Sequence, residues 1–359
     1  MRARPFLAAS LLTSSVAAAP TITNLNIVSI DRVDLSNTSM VAAITAPDCI
    51  VLIDAQGHAH TSVFDASAIT NITMNDQGLI AFASISQTEG PTVTVINPFT
   101  SVTTTEAALP GSPADLNNNN TIVGSRQGPT ASAVVSFRYR PSLSLTNNAT
   151  SYNLLRLNAI NESETAAGSR LEDNASYAIV QTTNGDTRHV GPDVTPDDFG
   201  LWSAVAVDIN EHDVVAGHAT IDGMTTLFRE DLQGQLEMLD QDPAWLGAEA
   251  VAINNQGYVI GNALTLVNGW QLTDVPFVWT PDGELLTLAS LIDDTDWEFL
   301  SADAINDQNQ IAGRALYQGV ATTFLLDLDT IPSPGSLTLF ALSGAIVIIR
   351  GRKTSSAAR

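Results

Sequence analysis

Seven times between residues 34 and 313 the chain returns to one ten-residue pattern: an apolar residue, an Asn, and a small residue seven positions after the Asn. The copies read DLSNTSMVAA, TMNDQGLIAF, DLNNNNTIVG, AINESETAAG, DINEHDVVAG, AINNQGYVIG and AINDQNQIAG. Their key positions are Ser36, Asn75, Asn117, Asn161, Asn210, Asn254 and Asn306, spaced by 39, 42, 44, 49, 44 and 52 residues. A recurring unit of this length cannot bury its own apolar face and must stack on its neighbours, and ~40–50 residues is the usual length of a four-stranded propeller blade. The expected fold is therefore all-β, a seven-bladed β-propeller over residues 21–330, with an open β-solenoid of the same repeats as the alternative.

Each copy has the chemistry of a tight hairpin. The Asn opens a turn by bonding its own backbone, and Gly78 and Gly257 stand where the turn leaves through positive φ. Asn120, Asp213 and Asn309 occupy that position elsewhere and tolerate it next best, whereas Ser39 and Glu164 are the weak copies. The strands that follow, such as TIVG and YVIG, are apolar at consecutive positions, as expected when both faces are covered. Gly124, Gly168, Gly217, Gly261 and Gly313 close them and suit a near approach of another backbone; Phe82 breaks this rule. Trp202, Trp245 and Trp297 precede three of the copies and read as packing residues between units. The last copy supplies only three strands, so the spare segment from Thr21 to Ile30 is expected to pair with Ala321–Asp329 and close the ring.

The motif looks like the HAF repeat, a probable extracellular repeat with a G-I-N-x-x-G-x-V-V-G core. That resemblance implies a location and an architecture but no reaction.

The two ends are of a different character. Arg2 and Arg4 precede an apolar run from Phe6 to Leu12 and then Ala17, Ala18 and Ala19, the pattern of a secretory signal peptide over residues 1–18. Residues 331–353 read as a Pro-bounded turn, an expected apolar helix and a basic finish, before a polar tail over 354–359. Pro332, Ser333 and Pro334, with Arg350, Arg352 and Lys353, resemble the PEP-CTERM sorting signal, with Ser in place of the usual Glu. The resemblance implies an exosortase-like enzyme as a partner and membrane contact through this segment only, with a plain anchor as the other reading.

Between these ends lie 9 basic and 38 acidic residues, a formal charge of −29. Nucleic acid and anionic lipid are poor partners for such a body, and divalent cations better ones. Cys49 stands alone, so no internal disulfide holds the fold.

Catalytic signatures are absent. No nucleophile elbow, zinc-helix motif or phosphate loop occurs. His58 and His60 share one face of a strand and would reach a common metal, but no third ligand has a recognisable spacing. His189 reads as a loop residue, and His212, in a hairpin turn, and His218 as surface or satisfied residues. The pairs Asp293 with Asp294 and Asp327 with Asp329, and the cluster Asp193, Asp197 and Asp198, read as solvated turns, with calcium the cation such loops would admit. No catalytic residue and no cofactor is identified. The sequence favours an exported cell-surface or extracellular structural or binding module, its partner an extracellular polysaccharide or protein. The alternative is a propeller hydrolase or lyase acting on extracellular polysaccharide, marked by three or more acidic side chains converging at one end of the central channel.

Overall fold

The computed structural model describes residues 20–328 apart from positions 30, 32, 65–67, 86–90, 101, 111, 128–133, 141–142, 148–153, 173–174, 194–202, 222, 240–241 and 269. The signal segment, the sorting residues Pro332, Ser333, Pro334, Arg350, Arg352 and Lys353, Trp202, and Asp197, Asp198 and Asp329 lie outside the described residues. Among those described, the one helix, Leu288–Leu291, has four residues, and none is long and apolar enough to cross a membrane.

The rest is strand in a β-propeller arrangement. Five blades are separate four-stranded antiparallel sheets. The first holds Val33–Leu35, Val41–Ala46, Cys49–Ile53 and Ala59–Val63. Ala68–Met74, Ile80–Ile85, Thr92–Asn97 and Val102–Pro110 form the next, followed by Ser112–Leu116, Ile122–Gln127, Val134–Arg140 and Leu143–Asn147. Trp245–Ile253, Val259–Val267, Gln271–Trp279 and Leu285–Thr287 form another, and Trp297–Ile305, Gln310–Tyr317, Val320–Asp327 and Thr21–Asn24 the last. The strands between Leu154 and Met238 form one eight-stranded sheet. This corrects the expectation of seven separate blades. The reason is local: Ser176 and Ser203 meet in a single parallel bridge that welds the strands of the fourth copy to those of the fifth.

Ring closure follows the sequence reading. Thr21–Asn24 adds to Val320–Asp327 in the register Thr21↔Asp327 to Asn24↔Phe324. Leu25 N–H then donates to Thr323 O, Thr323 N–H donates to Ile27 O, and Leu25 and Ile27 pack on the cluster that joins Val33 and Val41 to Ala304 and Ala312. The two ends of the described chain thus complete one four-stranded sheet, in which Thr21–Asn24 is the outer strand.

The motif turns show why the repeat has its letters. All seven exit residues, Ser39, Gly78, Asn120, Glu164, Asp213, Gly257 and Asn309, take positive φ, the two weak copies included. The Asn carbonyl oxygen caps its own turn: in Asn254 it accepts from Gln256 N–H and Tyr258 N–H at 3.1 and 3.0 Å. The amide of the same side chain crosses to the next copy and donates to the backbone oxygen of that copy's key residue. Asn75 reaches Asn117 O, Asn117 reaches Asn161 O, Asn161 reaches Asn210 O, and Asn210 reaches Asn254 O. Asn254 reaches Asn306 O and Asn306 closes on Ser36 O, both at 3.0 Å. The six Asn side chains and Ser36 are all buried. The second amide hydrogen explains the non-glycine exits: it finds Asn120, Asp213 or Asn309 one copy on.

The small residue ending each motif is fixed by packing. A Cβ on Gly217, Gly261 or Gly313 would overlap both a backbone oxygen of the inner strand and the ring of Phe228, Phe277 or Phe324 across the sheet. In the second copy the pair is reversed, with Phe82 facing Thr94, so the volume is kept while the large residue changes strand. Trp245 packs between units, against Phe277 in a cluster that also holds Leu227 and Leu239, whereas the rings that Trp297 meets, Phe299 and Tyr317, belong to its own sheet, beside a cluster that takes in Ile260 and Val278 of the preceding one.

Two outcomes follow. Asn254→Ala removes four side-chain hydrogen bonds of a buried residue and should cost about 3 kcal/mol, read by denaturant unfolding, against about 1 kcal/mol for Asn255→Ala at the neighbouring, less buried position. Deleting residues 21–27 should cost at least about 3 kcal/mol, since it removes both strand pairing and buried apolar contact.

Candidate functional site

The innermost strand of each copy from the third to the seventh carries a β-bulge just before the motif, at Pro113/Asp115, Leu157/Ala159, Ala206/Asp208, Ala250/Ala252 and Ala302/Ala304. The residue two before the key position follows the bulge and lines the axis of the ring, and Asp34 lines it from a strand without one. The space enclosed measures about 500 Å³, and all seven copies line it, through Asp34, Thr73, Asp115, Ala159, Asp208, Ala252 and Ala304 among others.

Three carboxylates therefore converge in alternate copies. Each bridges two main-chain N–H groups, one of its own strand and one of the next copy. Asp34 accepts from Leu35 and Met74 at 2.9 and 2.6 Å, Asp115 from Leu116 and Ile160 at 2.7 and 2.8 Å, and Asp208 from Ile209 and Ile253 at 2.8 Å each. Asp303 adds a fourth, accepting from Val33 N–H and Arg314 Nε. Burial pushes the Asp115 carboxyl up to about 7, and the charges of Asp208 and then Asp34 push the same way, against the two N–H bonds that hold it down.

A second ring forms the mouth on the turn side, one residue after each key position. Asn37 N–H donates to Asp76, Asp76 to Asn118, Asn118 to Glu162, Glu162 to Glu211, Glu211 to Asn255, Asn255 to Asp307, and Asp307 N–H back to Asn37 Oδ1. Glu211 is raised by desolvation and by the charges of Glu162, Asp307 and Asp213. Arg156 is the one cationic side chain among the lining residues, so the cavity carries a strongly negative field.

The residues singled out by sequence fall elsewhere. His58 Nδ1 and His60 Nε2 both lie 3.2 Å from one oxygen of Asp54. The Asp54 carboxyl is held down to about 2, mostly by the main-chain N–H of His58, then by the two imidazoles. His189 stacks on Tyr177, and His212 N–H caps on Asn210. His218 is half-buried rather than a surface residue; desolvation lowers its pKa, and its Nδ1 has no hydrogen-bond partner. Asp294 caps a turn through Asp296 N–H, and Cys49 is a free thiol outside the channel lining. Among the described residues no group of three or more His, Cys, Asp or Glu could hold a metal ion, so the calcium expectation gains no site here. The channel acids were missed although Asp34, Asp115 and Asp208 open three of the quoted copies. Their alternation with Thr73, Ala159 and Ala252 was the available signal.

No family model and no curated protein matches the chain. Solved propeller enzymes do resemble it in shape. Oligogalacturonate lyase from Vibrio parahaemolyticus aligns at TM-score 0.56 and 10% identity, over 87% of this chain and 94% of its own. The oligogalacturonate lyase in complex with manganese gives 0.54 and 11%, over 87% and 94%. A catalytically inactive virginiamycin B lyase from Staphylococcus aureus with quinupristin gives 0.54 and 11%, over 86% and 99%. At such identities the likeness establishes the β-propeller fold and nothing finer.

The raised Asp115 has a stability signature. Its ordinary value is 3.8 and its folded value about 7, so the folded state binds the extra proton between these limits. The contribution is full below pH 3.8, declines as pH rises, and is gone above about 7. Asp115→Asn should flatten that decline in a melting-temperature series across the same range, while Asp294→Asn leaves it unchanged.

Proposed function

We propose that this chain is a propeller hydrolase or lyase acting on an extracellular polysaccharide, with the channel as its site and Asp115 as its acid–base residue. The observation that carries the reading is the convergence of Asp34, Asp115 and Asp208 on one cavity, with Asp115 poised near neutral pH. A carboxyl with a pKa near the working pH both gives and takes a proton, which glycosidic cleavage or β-elimination requires. The negative field suits a neutral or cationic saccharide and opposes a polyanion, which favours hydrolysis, since β-elimination needs the uronate carboxyl of an acidic chain. The ring counts seven copies in this reading, the eight-stranded sheet being two of them joined at Ser176 and Ser203. The chain is exported by its signal segment and handled at the surface by an exosortase-like enzyme through the tail that resembles PEP-CTERM. A divalent cation, calcium by its preference for oxygen ligands, would bind the acidic surface and raise the melting temperature over that in excess chelator.

One observation favours the second reading, a structural or binding module: both oxygens of Asp34, Asp115 and Asp208 already accept main-chain N–H groups. Turnover separates the two. The mature chain, incubated with a panel of neutral and amino polysaccharides, should release new reducing ends. Activity should fall as pH rises through about 7, the value of Asp115. Asp115→Asn should reduce it by at least about 100-fold, the range of general acid–base catalysis. Binding without any release would assign the module instead, and full activity in Asp115→Asn would take the acid–base role from Asp115.

A further inference from the structure

The hairpin of Val259–Val267 and Gln271–Trp279 outgrows its sheet. The inner strand reaches only to Trp245, opposite Thr265, and the outer strand covers only Phe277–Trp279. Beyond these limits the chain projects as a two-stranded ribbon, paired as Leu266↔Leu272 and Val267↔Gln271 and closed by Trp270 N–H on Val267 O. Its side chains are apolar and exposed: Leu264, Leu266, Val267, Leu272 and, at the tip, Trp270 with 77% of its surface in solvent. From Leu264 through Thr273 no residue is charged, in a chain of 38 acidic and 15 basic residues.

We propose that this ribbon inserts its tip into the interface of a zwitterionic phospholipid bilayer. An uncharged, Trp-tipped segment whose backbone groups pair with each other loses little on leaving water, and Trp favours the headgroup level. The ribbon rises about 10 Å above the sheet at ~3.3 Å per residue, the depth to which interfacial segments bury. An anionic leaflet would repel the acidic body, so the headgroups are zwitterionic. A second copy is a poorer occupant: one ribbon offers roughly a few hundred Å², below the ~1,200 Å² of stable protein contacts. The ribbon also lies opposite the chain ends. The strand Val259–Val267 runs away from the turn at Asn254–Gly257, whereas Thr21 pairs with Asp327 and Leu328 N–H bonds Asn309 O beside the motif turns. The contact is thus separate from any made by the C-terminal segment.

The test uses full-length chain and vesicles of phosphatidylcholine with brominated acyl chains, which quench only immersed indoles. Wild type should lose about threefold more tryptophan emission than Trp270→Phe, a conservative change at an exposed site. A chain held only by its tail would keep Trp270 away from the lipid and show no such difference. Equal quenching in the two proteins, or none in wild type, overturns the proposal. So does a concentration-dependent dimer abolished by Leu266→Ser in the absence of vesicle quenching, which would give the ribbon to a second copy.

Discussion

The fold depends on one buried side-chain amide per repeat. Each key Asn turns its carbonyl oxygen to its own hairpin and its amide to the backbone of the next copy, so the group that shapes the turn also sets the spacing between units. A buried amide without partners costs more than a satisfied one gains, which makes the contact selective for one arrangement of neighbours. Only the first copy departs, and there Ser36 caps its own turn with its hydroxyl while Asn37 reaches Asp76.

Around that ring, large and small residues are matched across strands. Glycine on the second strand makes room for Phe137, Phe228, Phe277 or Phe324 on the third, and also for the bulge on the first. The bulge in turn aims Asp115 and Asp208 at the axis. Close packing, turn chemistry and the composition of the channel are thus consequences of one local geometry, and a larger residue at Gly261 would disturb all three.

The channel carboxylates serve two ends that conflict. As ties between copies, they are most useful when ionised, because a charged acceptor strengthens its bonds to main-chain N–H groups. Their crowding and burial raise the proton affinity of Asp115 all the same. A site under such tension is where proton-transfer chemistry is found, although structural networks also produce it.

How much of this was legible depends on the range of the interaction involved. The repeat, its hairpin turns, the packing role of Trp245 and Trp297 and the pairing of Thr21–Asn24 with the last strand could be read from residue types and spacing, because each rests on local backbone conformation or on a missing strand. Pairings between distant positions could not. That Asp54 gathers His58 and His60, that Asp34 binds Met74 N–H forty residues away, and that Ser176 meets Ser203 and merges two copies into one sheet depend on where strands lie in space. The sequence by itself determined a stack of like units, since a recurring half-buried hairpin must pack on its own kind. Only the tertiary structure decided what faces the axis, because which side chains a strand turns inward depends on its register and on bulges of one residue, and neither is fixed by residue type alone.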